Sequence, residues 1–271
     1  MSIIASFLVP SSPLTYFRSD NPPWQPTAEA LQEAGRRIAE MNPDVLLVYS
    51  TTWQAVMDQL WQARKLQQGT HVDHNWFELG ELSYDFQIDT ELAQSCVTAA
   101  TDSGIKSKPV DYDQFPIDTG TIVAMHFLNP NGKIPVVLAS NNLYHDHATV
   151  AELGKVASSC ATQQNKRAVA ITIGELSGSF FRNEINITED SIFKKSEDDW
   201  NRRMLDHLTK GDLKTCEKEM ADYNAEARAE YGFKHLQFLL GAMGGSYHQC
   251  ELLAYGPLYG KGGAVMQFTP E

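Results

Sequence analysis

Two short stretches, HVDH at 71–74 and HDH at 145–147, carry the residue types that most often bind metal ions. Imidazoles at this spacing can ligate a metal, and the intervening carboxylate can orient one ring. A closed metal site needs further ligands, and neither stretch supplies them nearby. Ordinary surface histidines in polar loops are therefore the favoured interpretation. The alternative is a metal site that joins Glu251 to His71, His74, His145 or His147.

Two further residues could serve a pocket. His126 lies within the apolar run from Thr121 to Phe127, so it is either a satisfied core histidine or a group that points into a cavity. Glu251 opens a late apolar segment, and its carboxylate is either an edge group in water or a pocket group at the end of the sheet. Familiar catalytic signatures fail here: the glycines of 256–262 are misspaced for a phosphate loop, and no H-E-x-x-H occurs.

Apolar runs alternate with helical patterns along the chain, which predicts an α/β fold with one central mixed β-sheet and helices on both faces. No linker or internal repeat divides the sequence, so we expect a single domain over residues 1–271. Thr27 is expected to cap a helix, and the segment 53–69 suits either a helix or a strand. The predicted strands are Ile3–Pro10, Val45–Ser50, Thr121–Phe127, Ile134–Ser140, Ala168–Ile173, Leu252–Tyr255 and Ala264–Phe268.

The composition limits the classes of partner. Of 271 residues, 42% are hydrophobic and 21% are charged, and the net charge is −12, which is typical of an acidic globular protein. Negative charge disfavours nucleic acid and anionic membranes as partners. The four cysteines are scattered, and the N-terminus lacks the features of a signal peptide. We therefore expect reduced thiols and a cytoplasmic location.

Three sequence frames carry a family resemblance. The first is VPSSP with Ser11 at its centre, the second runs from Pro43 to Trp53 (PDVLLVYSTTW), and the third is LSG ending at Gly178. They resemble the frames of class III extradiol ring-cleaving dioxygenases, which share the fold of the protocatechuate 4,5-dioxygenase catalytic subunit. In that family the first two frames each supply a histidine ligand of Fe(II), a late glutamate completes the metal site, and the third frame supplies an acid/base histidine.

The frames are present here, but their histidines are not. Ser11 and Thr52 stand at the two ligand positions, and Gly178 stands at the acid/base position. The resemblance also suggests Glu251 as the remnant of the carboxylate ligand and His126 as a pocket histidine. Hydroxyl groups are poor Fe(II) ligands beside imidazoles. The resemblance therefore implies no catalytic residue and no metal ligand in this chain, and the five positions together form a degenerate pocket.

The function that this resemblance implies is a non-catalytic, stabilising subunit of a heteromeric Fe(II)-dependent dioxygenase. The expected reaction opens the ring of 2-aminophenol to 2-aminomuconic 6-semialdehyde. The iron would reside in a homologous catalytic partner, in an α2β2 assembly. Two alternatives stay open: a free-standing enzyme with a different His/Glu metal site, and a small-molecule binding protein that reuses the emptied pocket.

Overall fold

The computed structural model describes residues 2–271, whose regular structure consists mainly of the strands and helices that follow. The strands are β1 (Ile3–Val9), β2 (Val45–Ala55), β3 (Gln59–Gln62), β4 (Leu66–His71), β5 (Leu82–Gln87), β6 (Ser107–Val110), β7 (Val136–Asn142), β8 (Ala168–Ile173), β9 (Gln249–Leu258) and β10 (Lys261–Thr269). The α-helices are α1 (Leu14–Phe17), α2 (Gln25–Met41), α3 (Thr90–Asp102), α4 (Thr119–Leu128), α5 (His147–Gln163), α6 (Lys195–Lys210), α7 (Leu213–Ala227) and α8 (Lys234–Ala242).

One mixed sheet of eight strands organises the chain in the order β6-β3-β7-β2-β8-β1-β10-β9. Strands β7, β2, β8 and β1 are parallel to one another, whereas β10 and β9 form an antiparallel edge. The central strands are buried on both faces, which explains their continuous apolar runs. Strands β4 and β5 form a separate hairpin. The predicted α/β class with a central mixed sheet is confirmed.

Helices cover the sheet in two groups. Helix α2 packs with α4, and α5 packs with both α3 and α8. The contact between α5 and α8 is close because each helix presents a glycine to the other. A Cβ atom at Gly154 would lie 2.0 Å from the carbonyl oxygen of Phe238, and one at Gly241 would lie 1.9 Å from that of Ala151. Among residues 2–271, no helix has the length and apolar character needed to cross a membrane.

The strand predicted over Thr121–Phe127 is wrong, because this run lies within helix α4. Apolar residues lie on nearly all sides of this helix, and a short buried run shows no periodicity that would distinguish a helix from a strand. The Asp118 side chain accepts a hydrogen bond from the Thr121 backbone N–H and begins the helix. The cap predicted at Thr27 is also wrong, since α2 begins at Gln25. The ambiguous segment 53–69 forms strands.

Candidate functional site

A cavity of about 490 Å³ opens where the parallel strands β1, β2 and β8 end. Ser11 follows β1, Thr52 lies near the end of β2, and Glu175 follows β8, so the three side chains meet at one edge of the sheet. This is the edge at which ligands bind in α/β sheets. We call it the central cavity; it is lined by Ser11, Ser12, Pro13, Thr52, Asp73, Asn75, Trp76, Glu78, Thr119, Glu175, Phe180, Phe181, Leu258, Tyr259 and Lys261.

Ser11 and Glu175 form one part of the cavity floor. The Ser11 hydroxyl lies 2.7 and 3.0 Å from the two carboxylate oxygens of Glu175, and its backbone N–H donates to Oε1 at 3.1 Å. Both residues are buried, and Glu175 has no exposed surface. The Ser11 hydroxyl therefore already donates its proton within the protein.

Thr52 uses its hydroxyl in a similar way. Its Oγ1 donates to Oδ1 of Asp118, the residue that caps α4, and the Ser50 hydroxyl donates to the same oxygen at 2.7 Å. Gly120 in the first turn of α4 permits this approach. A Cβ atom at Gly120 would lie 2.5 Å from Thr52 Oγ1 and 2.8 Å from Ser11 Cβ. Thr52 and Ser11 therefore both pack directly against this glycine.

Lys261 completes the floor of the cavity, and the buried carboxylate of Glu230 lies next to it. Oε2 of Glu230 accepts hydrogen bonds from the Thr51 hydroxyl and the Glu175 N–H, both at 2.9 Å. The ammonium nitrogen of Lys261 lies 3.4 Å from Glu230 Oε1 and 3.9 Å from Glu175 Oε2. One lysine thus holds two buried carboxylates from distant parts of the chain.

A strained turn presents Glu230 to this cluster. The three residues that follow it, Tyr231, Gly232 and Phe233, all adopt left-handed backbone conformations, with φ of 47°, 70° and 59°. Non-glycine residues in this region each cost on the order of 1 kcal/mol or more, and such strain concentrates at functional sites. The side chain of Tyr231 is anchored by a hydrogen bond from Gln54, which joins the turn to the end of β2.

Burial and like charge set the electrostatics of the floor. Loss of solvent, and then the neighbouring Glu230 carboxylate, raise the pKa of Glu175 to about 7. The Glu175 charge is the main cause that raises the pKa of Lys261 above its ordinary value, so the lysine stays protonated. His235 is fully buried near this group, and burial lowers its pKa to about 3. The histidine is therefore neutral, and Lys261 supplies the positive charge of the floor.

Aromatic rings form one wall of the central cavity. Trp76 packs edge-to-face on Tyr259 with 4.9 Å between ring centroids, and Phe181 also contacts Tyr259 in this way. Phe180 lines the cavity with about half of its surface exposed. A polar floor beneath an aromatic wall can accommodate a small planar molecule.

The structure brings together only part of the predicted degenerate pocket. Ser11 and Thr52 both line the central cavity. Gly178 does not line the central cavity and borders a separate cavity of about 220 Å³. A Cβ atom at Gly178 would lie 3.2 Å from the carbonyl oxygen of Arg228.

His126 and Glu251 lie elsewhere. His126 is on α4 and stacks on Tyr16 with 4.5 Å between ring centroids, beside a different cavity. Glu251 lies on the edge strand β9, where it is half exposed and pairs with Arg37 at 2.7 Å. Neither side chain lines the central cavity, so the structure does not support Glu251 as a carboxylate of this site or His126 as its histidine.

The histidines of the alternative metal site are also dispersed. His71 contacts the Thr119 hydroxyl at 2.7 Å, and His147 contacts the Gly232 carbonyl oxygen at 2.7 Å. Across residues 2–271, no three His, Cys, Asp or Glu side chains gather closely enough to hold a metal ion together.

Sequence reasoning missed Glu175, Glu230 and Lys261. A signal existed for Glu175, because it directly follows a buried parallel strand, where functional side chains tend to lie. Glu230 and Lys261 join the cluster through tertiary folding, and no local pattern marks them.

Comparison with known proteins identifies the family. Residues 7–266 match the model described as the catalytic LigB subunit of aromatic ring-opening dioxygenase. The chain belongs to the LigB family. A solved structure of an uncharacterized Escherichia coli K12 protein matches with a TM-score of 0.67 over 97% of this chain and 99% of that one; at 16% identity it supports the fold alone.

Curated relatives include an alpha and a beta subunit with the same enzyme name. The chain is 42% identical to a Pseudomonas 2-aminophenol 1,6-dioxygenase alpha subunit, over 99% of this chain and 100% of that one. It is 27% identical to the beta subunit, over 98% of this chain and 94% of that one. It is also 19% identical to an Escherichia coli 3,4-dihydroxyphenylacetate 2,3-dioxygenase, with 84% of each chain covered.

The side chains of the central cavity do not fit the Fe(II) site that the resemblance implies. Such a site needs two imidazoles and a carboxylate on one face of the metal. Here the two ligand positions are hydroxyls that already donate to Glu175 and Asp118. The buried carboxylates of Glu175 and Glu230 face a lysine ammonium instead.

Proposed function

We propose that this chain is the iron-free alpha subunit of a heteromeric 2-aminophenol 1,6-dioxygenase. The observation that carries the proposal is the donor set of the central cavity, where Ser11 and Thr52 stand in place of imidazoles and Lys261 pairs with the buried carboxylates of Glu175 and Glu230. The similarity to an alpha subunit over the full chain supports it. Fe(II) and the opening of 2-aminophenol to 2-aminomuconic 6-semialdehyde then belong to the homologous beta subunit.

The role of the chain in this proposal is to stabilise its partner in an α2β2 assembly. Obligate interfaces of this kind bury more than about 2,000 Å² and are rather apolar. An exposed apolar patch supports such a role: a hydrogen bond from Leu143 N–H to the Ala55 carbonyl joins two loops that expose Val56, Met57, Leu143 and Tyr144. The buried free cysteines support a reducing compartment, and we propose the cytoplasm.

The test is a titration of purified beta subunit with this chain, with 2-aminophenol consumption, bound iron and melting temperature followed together. Activity and melting temperature should rise and saturate near one copy of this chain per beta subunit, because binding to the folded state stabilises it. The iron content per beta subunit should stay constant. A beta subunit that is equally active and stable alone would refute the stabilising role.

A second candidate function is binding of a small molecule without chemistry. The aromatic wall formed by Trp76, Phe180, Phe181 and Tyr259 favours it, because the central cavity can accommodate a small planar molecule although its side chains do not fit the Fe(II) site. Calorimetric titration of the chain with 2-aminophenol tests this candidate, with Trp76→Ala as the variant that should weaken binding. An absence of binding heat at millimolar ligand would exclude it.

A further inference from the structure

We propose that the Lys261 ammonium is the resident cation of the Glu175–Glu230 pair and keeps divalent metal ions out of the central cavity. The inference deepens the proposed function, on which it rests, by naming the group that keeps this chain free of metal.

The geometry defines one position for a cation. A single nitrogen lies within 4 Å of one oxygen from each carboxylate, and these carboxylates come from segments 55 residues apart. Neither carboxylate can turn away freely. Glu175 is held by the Ser11 hydroxyl and N–H, and Glu230 is held by the Thr51 hydroxyl. A Cβ atom at Gly174 would lie 2.9 Å from Glu230 Oε2, so the backbone also confines this carboxylate.

The charge balance explains why the lysine matters. Among the ion pairs of residues 2–271, Lys261 is the basic partner of both carboxylates. Buried carboxylates without a cation are costly, and they either bind a proton or recruit a positive ion. A divalent metal ion binds carboxylate oxygens at about 2.0–2.6 Å. It would therefore have to occupy the space between these oxygens, where the ammonium lies. Ammonium and metal thus exclude each other.

Replacement of the lysine should expose this latent cation site. The experiment compares the full-length chain with its Lys261→Met and Lys261→Arg variants at pH 7.5, with Mn²⁺ as the probe in calorimetry and electron paramagnetic resonance. Lys261→Met should bind one Mn²⁺ at least tenfold more tightly than the wild type. Lys261→Arg should behave as the wild type, because it retains the positive charge. Addition of Glu230→Gln to Lys261→Met should abolish the gain.

The inference is overturned if folded Lys261→Met binds Mn²⁺ no more tightly than the wild type, or if the wild type already holds one equivalent with similar affinity. If Lys261→Met and the milder Lys261→Gln both fail to fold, 1 mM Mn²⁺ should restore their folding, since a ligand of the folded state stabilises it. Absence of this rescue also overturns the inference. These failures leave the proposed function intact, because that proposal depends on the titration of the beta subunit.

Discussion

Replacement of Glu175 by Gln tests the electrostatics of the cavity floor. The Glu175 side chain is almost fully buried, and its titratable neighbours are Glu230, Lys261, Tyr231 and His235. Burial and then Glu230 raise its pKa from 4.5 to about 7, although Lys261 opposes the rise. Glutamine keeps the size of the side chain and can still accept the Ser11 N–H, but it removes the titration.

The sign of the effect follows from proton binding. Between pH 4.5 and 7 the folded chain keeps a proton on Glu175 that the unfolded chain releases. The stability that protonation of Glu175 contributes to the wild type is therefore fully present below the pKa of Glu175 in the unfolded chain. This contribution is lost as the pH rises through the pKa of Glu175 in the folded chain. At 1.36 kcal/mol per pKa unit, this loss amounts to about 3 kcal/mol, of which roughly 2.5 kcal/mol falls between pH 5 and 8.

Urea unfolding of the wild-type chain and Glu175→Gln at pH 5, 6, 7 and 8 measures this loss. The free energy of unfolding of the variant, relative to the wild type, should increase with pH by roughly 2.5 kcal/mol across this range. Glu217→Gln, at an exposed position on α7, is the matched control and should show no such increase. A difference between Glu175→Gln and the wild type that stays constant or decreases with pH would refute the reasoning.

Three further predictions concern the surface and the helices. Met57→Glu, in the exposed apolar patch, should weaken association with the beta subunit at least tenfold in a binding titration and leave the melting temperature of the isolated chain unchanged; unchanged affinity would exclude this patch as an interface. Glu251→Gln breaks a half-exposed pair with Arg37 and should cost less than about 1 kcal/mol in urea unfolding, with full activity of the assembled enzyme. Gly241→Ala should destabilise the chain by about 1–3 kcal/mol in thermal unfolding, because the added methyl would collide with α5.

Most of the sheet could be predicted because its central strands are buried on both faces. Strands β2 and β8 appear in the sequence as short continuous apolar runs, and the helix that precedes β2 has Leu31, Ala34 and Ile38 on one buried stripe. Helix α4 could not be separated from a strand by the same criterion, because most of its ten residues are buried. Its polar cap at Asp118 was the signal that distinguishes the two.

The candidate site could be predicted only where the family frames reach it. Ser11 and Thr52 follow from those frames, and both line the central cavity. The position of Glu251 at the start of a late apolar segment favours it as a pocket carboxylate, but that segment belongs to β9 at the edge of the sheet, two strands away from β1. The carboxylate that does meet Lys261 from a late segment is Glu230, in a short strained turn that has no recognisable sequence pattern.

The residues that match the family frames around the missing histidines have structural roles in this chain. Asp44 accepts the Arg167 N–H at 2.7 Å, and Ser50 donates to the cap of α4. The Ser177 hydroxyl accepts the Gly262 N–H at 3.0 Å and joins the segment after β8 to β10. Trp53 is buried in the hydrophobic core. These contacts require the fold and do not require a metal, so the frames can persist where the ligands do not. The frames therefore identify the fold, whereas the activity of a LigB chain has to be judged from its ligand positions and from the charge that faces its carboxylates.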